Sequence, residues 1–423
     1  MMAAMEHPAT RYDVLIVGAG HGGAETAIAL RKAGFDGTVA IVGEEPELPY
    51  ERPPLSKEYL SGKATFDQIL IRPSGFWSDQ GITMLLGQRV IAVDHAARLV
   101  SLAVGPQIAY HQLVWAAGGT ARRLRCDGAD LKGVHTIRSQ ADVRDLRDEL
   151  AVIRQAIVIG GGYIGLEAAA TLRDLGKEVV LIEALDRVLA RVAGEPISRF
   201  FEAEHRARGV DIRLETAVDS LQGRDGRVCA VRLTDGTLIE CGLAIVGIGI
   251  VPVVAPLLAA GAAGDDRGVV VDAQCRTSLF DVFAVGDCAV HANRYADGIQ
   301  VRVESVQNAT EQASVVAQTI IGQSASYETP PWFWSNQYDL KLQSVGLSVG
   351  HDGIVVRGNQ ATRSFSVVYL KQGQIIAVDC VNATKDYVQG RKLVARRAHP
   401  DPAMLARSDI SLKDVLLTET EDA

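Results

Sequence analysis

Two glycine clusters, GAGHGG at 18–23 and GGGYIG at 160–165, carry the plainest chemistry in this chain. A glycine turn that leads from a strand into a helix aims unpaired backbone N–H groups, and the positive end of the helix, at an anion. In the G-x-G-x-x-G pattern the first glycine allows the tight turn. The second lets backbone approach a pyrophosphate, and the third lets helix pack on strand. An acid at the end of the next strand accepts hydrogen bonds from the adenosine ribose. Glu44 and Glu45 are the candidates after TVAIVG, and Glu183 ends VVLIE. One chain holding two dinucleotides has an obvious use for them, which is to pass electrons from one to the other.

A carboxylate at Glu183 also repels a 2′-phosphate, so it favours NADH over NADPH. Arg187 and Arg191 follow closely; the alternatives for them are a grip on a 2′-phosphate or ordinary solvated charge. Asp287, after the apolar run FDVFAVG, suits a hydrogen bond to a flavin's ribityl chain, or a plain turn or helix cap. Lys57 follows Arg52 in the proline-stiffened loop PYERPPLSK at 49–57. A cation near the N1–C2=O or N5 edge of a flavin stabilises the reduced anion; otherwise Lys57 is a solvated charge. Glu167, in GLEAAA, is expected in the first turn of the second glycine helix. A carboxylate suits the dipole there, at a position facing the arriving nicotinamide. Trp332 and Trp334 read as core or interface aromatics.

The elements that must position these residues are legible. Strands YDVLIV (12–17) and QAIVIG (155–160) precede the glycine turns, and helical runs AETAIALRKAG and GLEAAATLRDLG follow them. DGR and TDGT, between 224 and 238, are hairpin signals. LVWAAGG at 113–119 and FDVFAVGD at 280–287 read as buried strands, and ESVQNATEQASVVAQTII as a helix. From about Glu328 the style changes to strand-like runs and a final helix near 385–398. The expected domains are 1–118 with 252–327, then an inserted 119–251, and last 328–423.

The formal net charge of −8 and 48% hydrophobic content argue for a globular protein and against nucleic-acid or anionic-membrane partners. No basic-then-apolar segment precedes the strand at Tyr12, so a cytoplasmic location is expected. The uncharged stretch 241–264 contains Pro252, Pro256 and several glycines, and reads as a strand, a turn and a small helix rather than a membrane span. The six cysteines, Cys126, Cys229, Cys241, Cys275, Cys288 and Cys380, form no CxxC or CxxxxC pair. That argues against a disulfide framework, a metal site or a flavin-linked redox disulfide.

Taken in order, VGAGHGG, PYERPPLSK, LVWAAGG, VIGGGYIGLE, IVGIGIVP, FAVGDC, RVESVQNATEQA and PPWFWSNQYD resemble the FAD-dependent, NADH-linked ferredoxin reductases of bacterial oxygenase systems. This is the group of putidaredoxin reductase and the reductase of biphenyl dioxygenase. The resemblance implies an α/β, glutathione-reductase-like fold, with two Rossmann-type nucleotide-binding domains for FAD and NAD and a C-terminal α+β domain. It implies that Gly18, Gly20, Gly22, Glu44, Arg52, Lys57, Val90, Ala117, Arg122, Asp287 and Val306 surround FAD, with Trp334 beside the isoalloxazine. It implies that Gly160, Gly162, Tyr163, Ile164, Glu183, Arg191 and Gly249 contact NAD. Glu167 is implied to pair with Lys57 near the nicotinamide, so that Lys57, Glu167 and Trp334 form the catalytic set. Ala117 departs from the threonine usual in the group. The implied partner is a [2Fe–2S] ferredoxin that serves a cytochrome P450 or ring-hydroxylating dioxygenase. Alternatives are a rubredoxin or other small-acceptor reductase, or a binding flavoprotein like apoptosis-inducing factor. An acidic ferredoxin calls for a local basic surface, and Lys385, Arg391, Lys392, Arg396, Arg397 and Arg407 supply the candidate, the alternative being an ordinary solvated helix face.

Overall fold

The computed structural model describes residues 10–415. Packing divides the chain into two compact units. One holds the residues to Glu51, Asp67–Thr120 and Val251–Thr329; the other holds Arg52–Phe66, Ala121–Ile250 and the chain from Pro330. The segment Arg52–Phe66, which the sequence reading leaves in the first domain, groups with the second unit.

In the first unit the strands Ile82–Leu85, Val39–Val42, Thr10–Val17 and Ile108–Trp115 lie side by side and parallel. Val282–Ala284 pairs, also parallel, with the far end of Ile108–Trp115. Leu99–Leu102 and Val90–Asp94 extend the sheet antiparallel. Val14, Leu15, Ile16 and Val17 are all buried. A parallel strand covered on both faces reads as a continuous apolar run, which is why YDVLIV shows no alternation. Helices His21–Lys32 and Val306–Ile320 pack on each other, and Ala24, Ala27, Val316 and Ala317 from the two share one buried apolar cluster. Ser305 caps the second of these by accepting from Asn308 N–H at 3.1 Å.

The second unit repeats the plan. Strands Val210–Arg213, Glu178–Ile182, Gln155–Ile159, Leu243–Val246 and Val134–His135 form a five-stranded parallel sheet. Three antiparallel strands, Val218–Arg224, Arg227–Leu233 and Leu238–Glu240, turn at the two expected hairpins. The chain from Pro330 builds a five-stranded antiparallel sheet ordered Trp332–Gln337, Leu340–Gly346, Gln374–Val381, Ser364–Lys371 and Gly353–Asn359. Helix Thr384–Arg396 packs against it. The uncharged stretch from Cys241 resolves into strand Leu243–Val246 and, in the first unit, helix Ala255–Ala259. Among the described residues no helix is long and apolar enough to cross a membrane.

Two buried histidines make stability depend on pH. Burial pushes the imidazoles of His205 and His291 down to about 4 from an ordinary 6.5. Between those values the unfolded chain binds more protons than the fold, so stability falls as pH drops below 6.5. At pH 5 the loss is about 2 kcal/mol for each histidine. Unfolding midpoints in denaturant should fall between pH 7 and pH 5, and His205→Asn should flatten part of that slope. A midpoint independent of pH over this range contradicts the assignment.

Candidate functional site

In the first unit the chain turns at Gly18, where φ is +112° and an added Cβ would sit 2.2 Å from the Ala116 carbonyl oxygen. The third glycine of the pattern is Gly23; a Cβ there would lie 1.8 Å from Gly18 O. Only glycine permits both the turn and the close seat of the helix on its strand. Helix His21–Lys32 then starts from Gly20 with no side-chain cap and no acid in its first turn. Such a start suits a ligand anion.

At the end of Val39–Val42 the two acids separate. Glu45 takes the Tyr50 hydroxyl as its partner, whereas Glu44 is exposed, with Arg89 at 3.8 Å. Glu44 is therefore the acid open to a ribose. Val90 is buried, Ala117 half-buried, and Val306 is the first residue of its helix. Asp287 does not close its strand. It lies three residues beyond Val282–Ala284, in the single 3-10 turn Gly286–Cys288. Its carbonyl accepts from Arg302 at 2.9 Å, and Gly286 N–H is held by Gln312 Oε1 at 2.7 Å.

The second unit has its own turn. Gly160 has φ +108°, with an added Cβ 2.4 Å from Gly247 O, and Gly165 repeats the role of Gly23. A Cβ on Gly162 would meet nothing within 4 Å. Ile164 is 41% exposed beside this open space. The Tyr163 ring turns away onto Phe333, centroids 4.4 Å apart, which leaves its backbone to meet a ligand. Glu183, one residue past its strand, accepts from Gly161 N–H at 2.7 Å and Leu185 N–H at 2.9 Å. Those two bonds fix the carboxylate and leave lone pairs for ribose hydroxyls. Arg187 is engaged with Asp186 and the Ala190 carbonyl. Arg191 is exposed, its guanidinium near Gly249. Arg122 N–H binds Gly249 O at 2.9 Å.

Lys57 and Glu167 meet inside the second unit. Lys57 Nζ lies 2.8 Å from Glu167 Oε2, which also accepts from Ser56 Oγ at 2.6 Å. Ser335 Oγ donates to Glu167 Oε1 at 2.7 Å. Thr171 Oγ1, one helical turn on, donates to Ser56 O at 2.8 Å and so pins the Pro53–Ser56 turn to the helix. Arg52 donates to the Arg138 carbonyl.

One expectation about Glu167 fails. The helix begins at Tyr163, so Glu167 stands in its second turn, 3% exposed, and the dipole does not explain it. A buried carboxylate needs partners instead, and Lys57, Ser56 and Ser335 supply them. Trp334 does not join this cluster. Alternation along Trp332–Gln337 sends Ser335 and Gln337 to one face and Trp332 and Trp334 to the other. The two tryptophans pack together at 5.5 Å, with Arg391 over Trp332 at 5.7 Å. Ser56 and Ser335 are site residues that motif reading missed. Ser56 adjoins Lys57 in PPLSK, a neighbourhood that could have flagged it.

The chain is similar to known proteins along nearly its whole length. A family described as pyridine nucleotide-disulphide oxidoreductase matches residues 12–313, and one described as reductase C-terminal matches 332–416. A ferredoxin–NAD(P)(+) reductase of Sphingomonas sp. is 59% identical over 396 residues, 93% of this chain and 95% of the relative. The 5,5'-dehydrodivanillate O-demethylase ferredoxin reductase subunit of Sphingobium sp. is 57% identical over 405 residues, 96% of this chain and 98% of its own. Among solved structures, the ferredoxin reductase for the CYP199A2 system from Rhodopseudomonas palustris is similar at TM-score 0.92 and 39% identity, covering 95% of this chain and 99% of its own. The reductase of the covalent putidaredoxin reductase–putidaredoxin complex matches at TM-score 0.93 and 37% identity, covering 98% and 99%. All six cysteines are free thiols. By the reach of these matches, the chain belongs to the pyridine nucleotide-disulphide oxidoreductase family.

Proposed function

We propose that this protein is a cytoplasmic NADH:ferredoxin oxidoreductase that uses FAD and delivers electrons singly to a [2Fe–2S] ferredoxin serving a cytochrome P450 or a ring-hydroxylating dioxygenase. The observation that carries the reading is a glycine turn in each unit, Gly18 and Gly160, without a cysteine pair to receive electrons within the chain. The relatives' names supply the external acceptor.

The residues of the first turn fit FAD: a backbone cradle too tight for a Cβ, a helix start free of side-chain caps, and an exposed Glu44 at the strand end. Bound FAD supplies an acceptor for hydride and a donor of single electrons. The protein's residues do the rest. Gly160 and the helix start after Gly162 receive the NADH pyrophosphate, and Glu183 takes the ribose hydroxyls. Glu167 holds the Lys57 ammonium fixed, so positive charge is in place where negative charge develops. Orienting the nicotinamide against the flavin is the remaining task. On helix Thr384–Arg396, Lys385, Lys392 and Arg396 are exposed, a basic face suited to an acidic ferredoxin.

Purified protein should be yellow and should release FAD on denaturation. NADH should reduce ferricyanide and a [2Fe–2S] ferredoxin, and added salt should slow only the ferredoxin rate. Faster transfer to rubredoxin than to any ferredoxin would overturn the choice of partner.

Coenzyme choice follows from Glu183. Glu183→Ala should narrow the preference for NADH over NADPH by about 1–3 kcal/mol in kcat/KM, since charge-assisted contacts are lost and a 2′-phosphate is no longer repelled. A wild type that prefers NADPH shifts the role to Arg191.

A further inference from the structure

The hydrogen bonds at Glu167 do not end with Ser335. Gln337 Nε2 donates to Ser335 Oγ at 3.2 Å, and Gln337 Oε1 lies 2.8 Å from His205 Nε2. His205 Nδ1 lies 3.2 Å from the Tyr338 hydroxyl. Glu167, Ser335, Gln337 and His205 are at most 3% exposed. The direction of each bond follows from the carboxylate end. An ionised Glu167 only accepts, so Ser335 donates, and its oxygen accepts from the Gln337 amide. The amide oxygen is then left to accept, so His205 carries its proton on Nε2. Its bare Nδ1 accepts from Tyr338. Every donor points toward Glu167.

The outer end is also constrained. Tyr338 sits at φ +57° in the turn between Trp332–Gln337 and Leu340–Gly346, an uncommon place for a bulky side chain. The Arg208 guanidinium lies over its ring at 4.4 Å. Strained backbone of this kind persists where the surroundings over-determine it. A line of polar side chains in a core is costly unless fully satisfied, and apolar residues would pack as well.

We propose that Tyr338, His205, Gln337 and Ser335 form a directed relay that holds the Glu167 carboxylate fixed, and through it keeps Lys57 in place for hydride transfer. The four are positioning residues, and their assignment rests on the function proposed above. Hydrogen bonds in such a chain polarise one another, so each strengthens the next. Burial keeps His205 neutral, with the single N–H the relay needs. The charged and titratable groups near His205 are Arg208, Glu204 and Tyr338; those near Glu167 are Lys57 and, farther off, Tyr163.

The test uses FAD-loaded full chain and stopped-flow reduction by NADH at pH 7. In Gln337→Leu, Ser335 loses the amide that donates to it, and Glu167 loses part of its support. The rate should drop about tenfold. Tyr338→Phe, which keeps the ring, should lower it about twofold. A second readout needs no turnover: with ¹⁵N-labelled histidine, His205, identified by its loss in His205→Asn, should carry its proton on Nε2 in wild type. If Gln337→Leu fails to fold, Tyr338→Phe and the wild-type tautomer decide. A wild-type rate in both variants, or a proton on Nδ1 of His205, overturns the relay. Failure to reduce any ferredoxin overturns the proposed function while leaving those two readouts intact.

Discussion

Glu167→Ala should nearly abolish reduction of the flavin by NADH and weaken the second unit at the same time. The substitution strips the partner from an ammonium whose side chain is 13% exposed, and it orphans the Ser56 and Ser335 hydroxyls. Breaking a buried pair from one side costs about 3–5 kcal/mol, because the remaining charge is left uncompensated. Lys57 then relaxes toward water, and a misplaced group of this kind lowers the hydride-transfer rate about 10²-fold. Lys57→Met approaches the same pair from the other side and should also slow reduction. The double variant Lys57→Met/Glu167→Ala should recover stability relative to Glu167→Ala but not rate, since the unpaired charge is gone and the function is not restored. Denaturant midpoints and stopped-flow flavin absorbance separate the two effects. Wild-type reductive half-reactions in both single variants would reduce the pair to a structural tie.

The second large effect should come from the glycine turns, and it should differ between them. Gly160→Ala places a Cβ 2.4 Å from Gly247 O at φ +108°, and Gly18→Ala places one 2.2 Å from Ala116 O at φ +112°. Backbone must move in each, at a cost well above the ~1 kcal/mol of an alanine held at positive φ. Gly18→Ala should yield protein without bound FAD. Gly160→Ala should stay yellow yet show an NADH KM raised by about two orders of magnitude. Gly162→Ala is the informative companion. Its φ is −77° and its Cβ meets no protein atom within 4 Å. The fold should be untouched, so any rise in KM reports the space that the coenzyme itself occupies. Absorbance spectra and NADH titrations check all three. Equal NADH affinity in Gly162→Ala and wild type would move the pyrophosphate elsewhere.

Much of this was legible in the sequence, for identifiable reasons. A turn at positive φ that also admits no Cβ must be glycine, so the spacing of Gly18 and Gly23, and of Gly160 and Gly165, is a direct record of backbone geometry. The DGR hairpin is similarly written in residue type, with Asp225 and Gly226 both at positive φ. The start of the second glycine helix was not legible. Its cap is Gly162, which carries none of the Ser, Thr or Asp signals that mark a helix start, and the resulting shift of two residues moved Glu167 into the wrong turn. Ser335, Gln337 and His205 were invisible for another reason. Serine and glutamine occur everywhere, and these find their partners only through tertiary packing. The face of Trp334 was decidable from strand alternation with Ser335, but only once the strand's register to its neighbours was known.

The tie at Glu167 also sets when the protein can first work during its own synthesis. Its partners stand 111, 110 and 168 positions away, at Ser56, Lys57 and Ser335. Contacts of that separation are entropically expensive and form late. A ribosome that has released both glycine turns has still not delivered Ser335, so a half-made chain holds an unfinished carboxylate site. A chain cut short of Ser335 should therefore hold the Glu167 carboxylate less firmly than the full chain does.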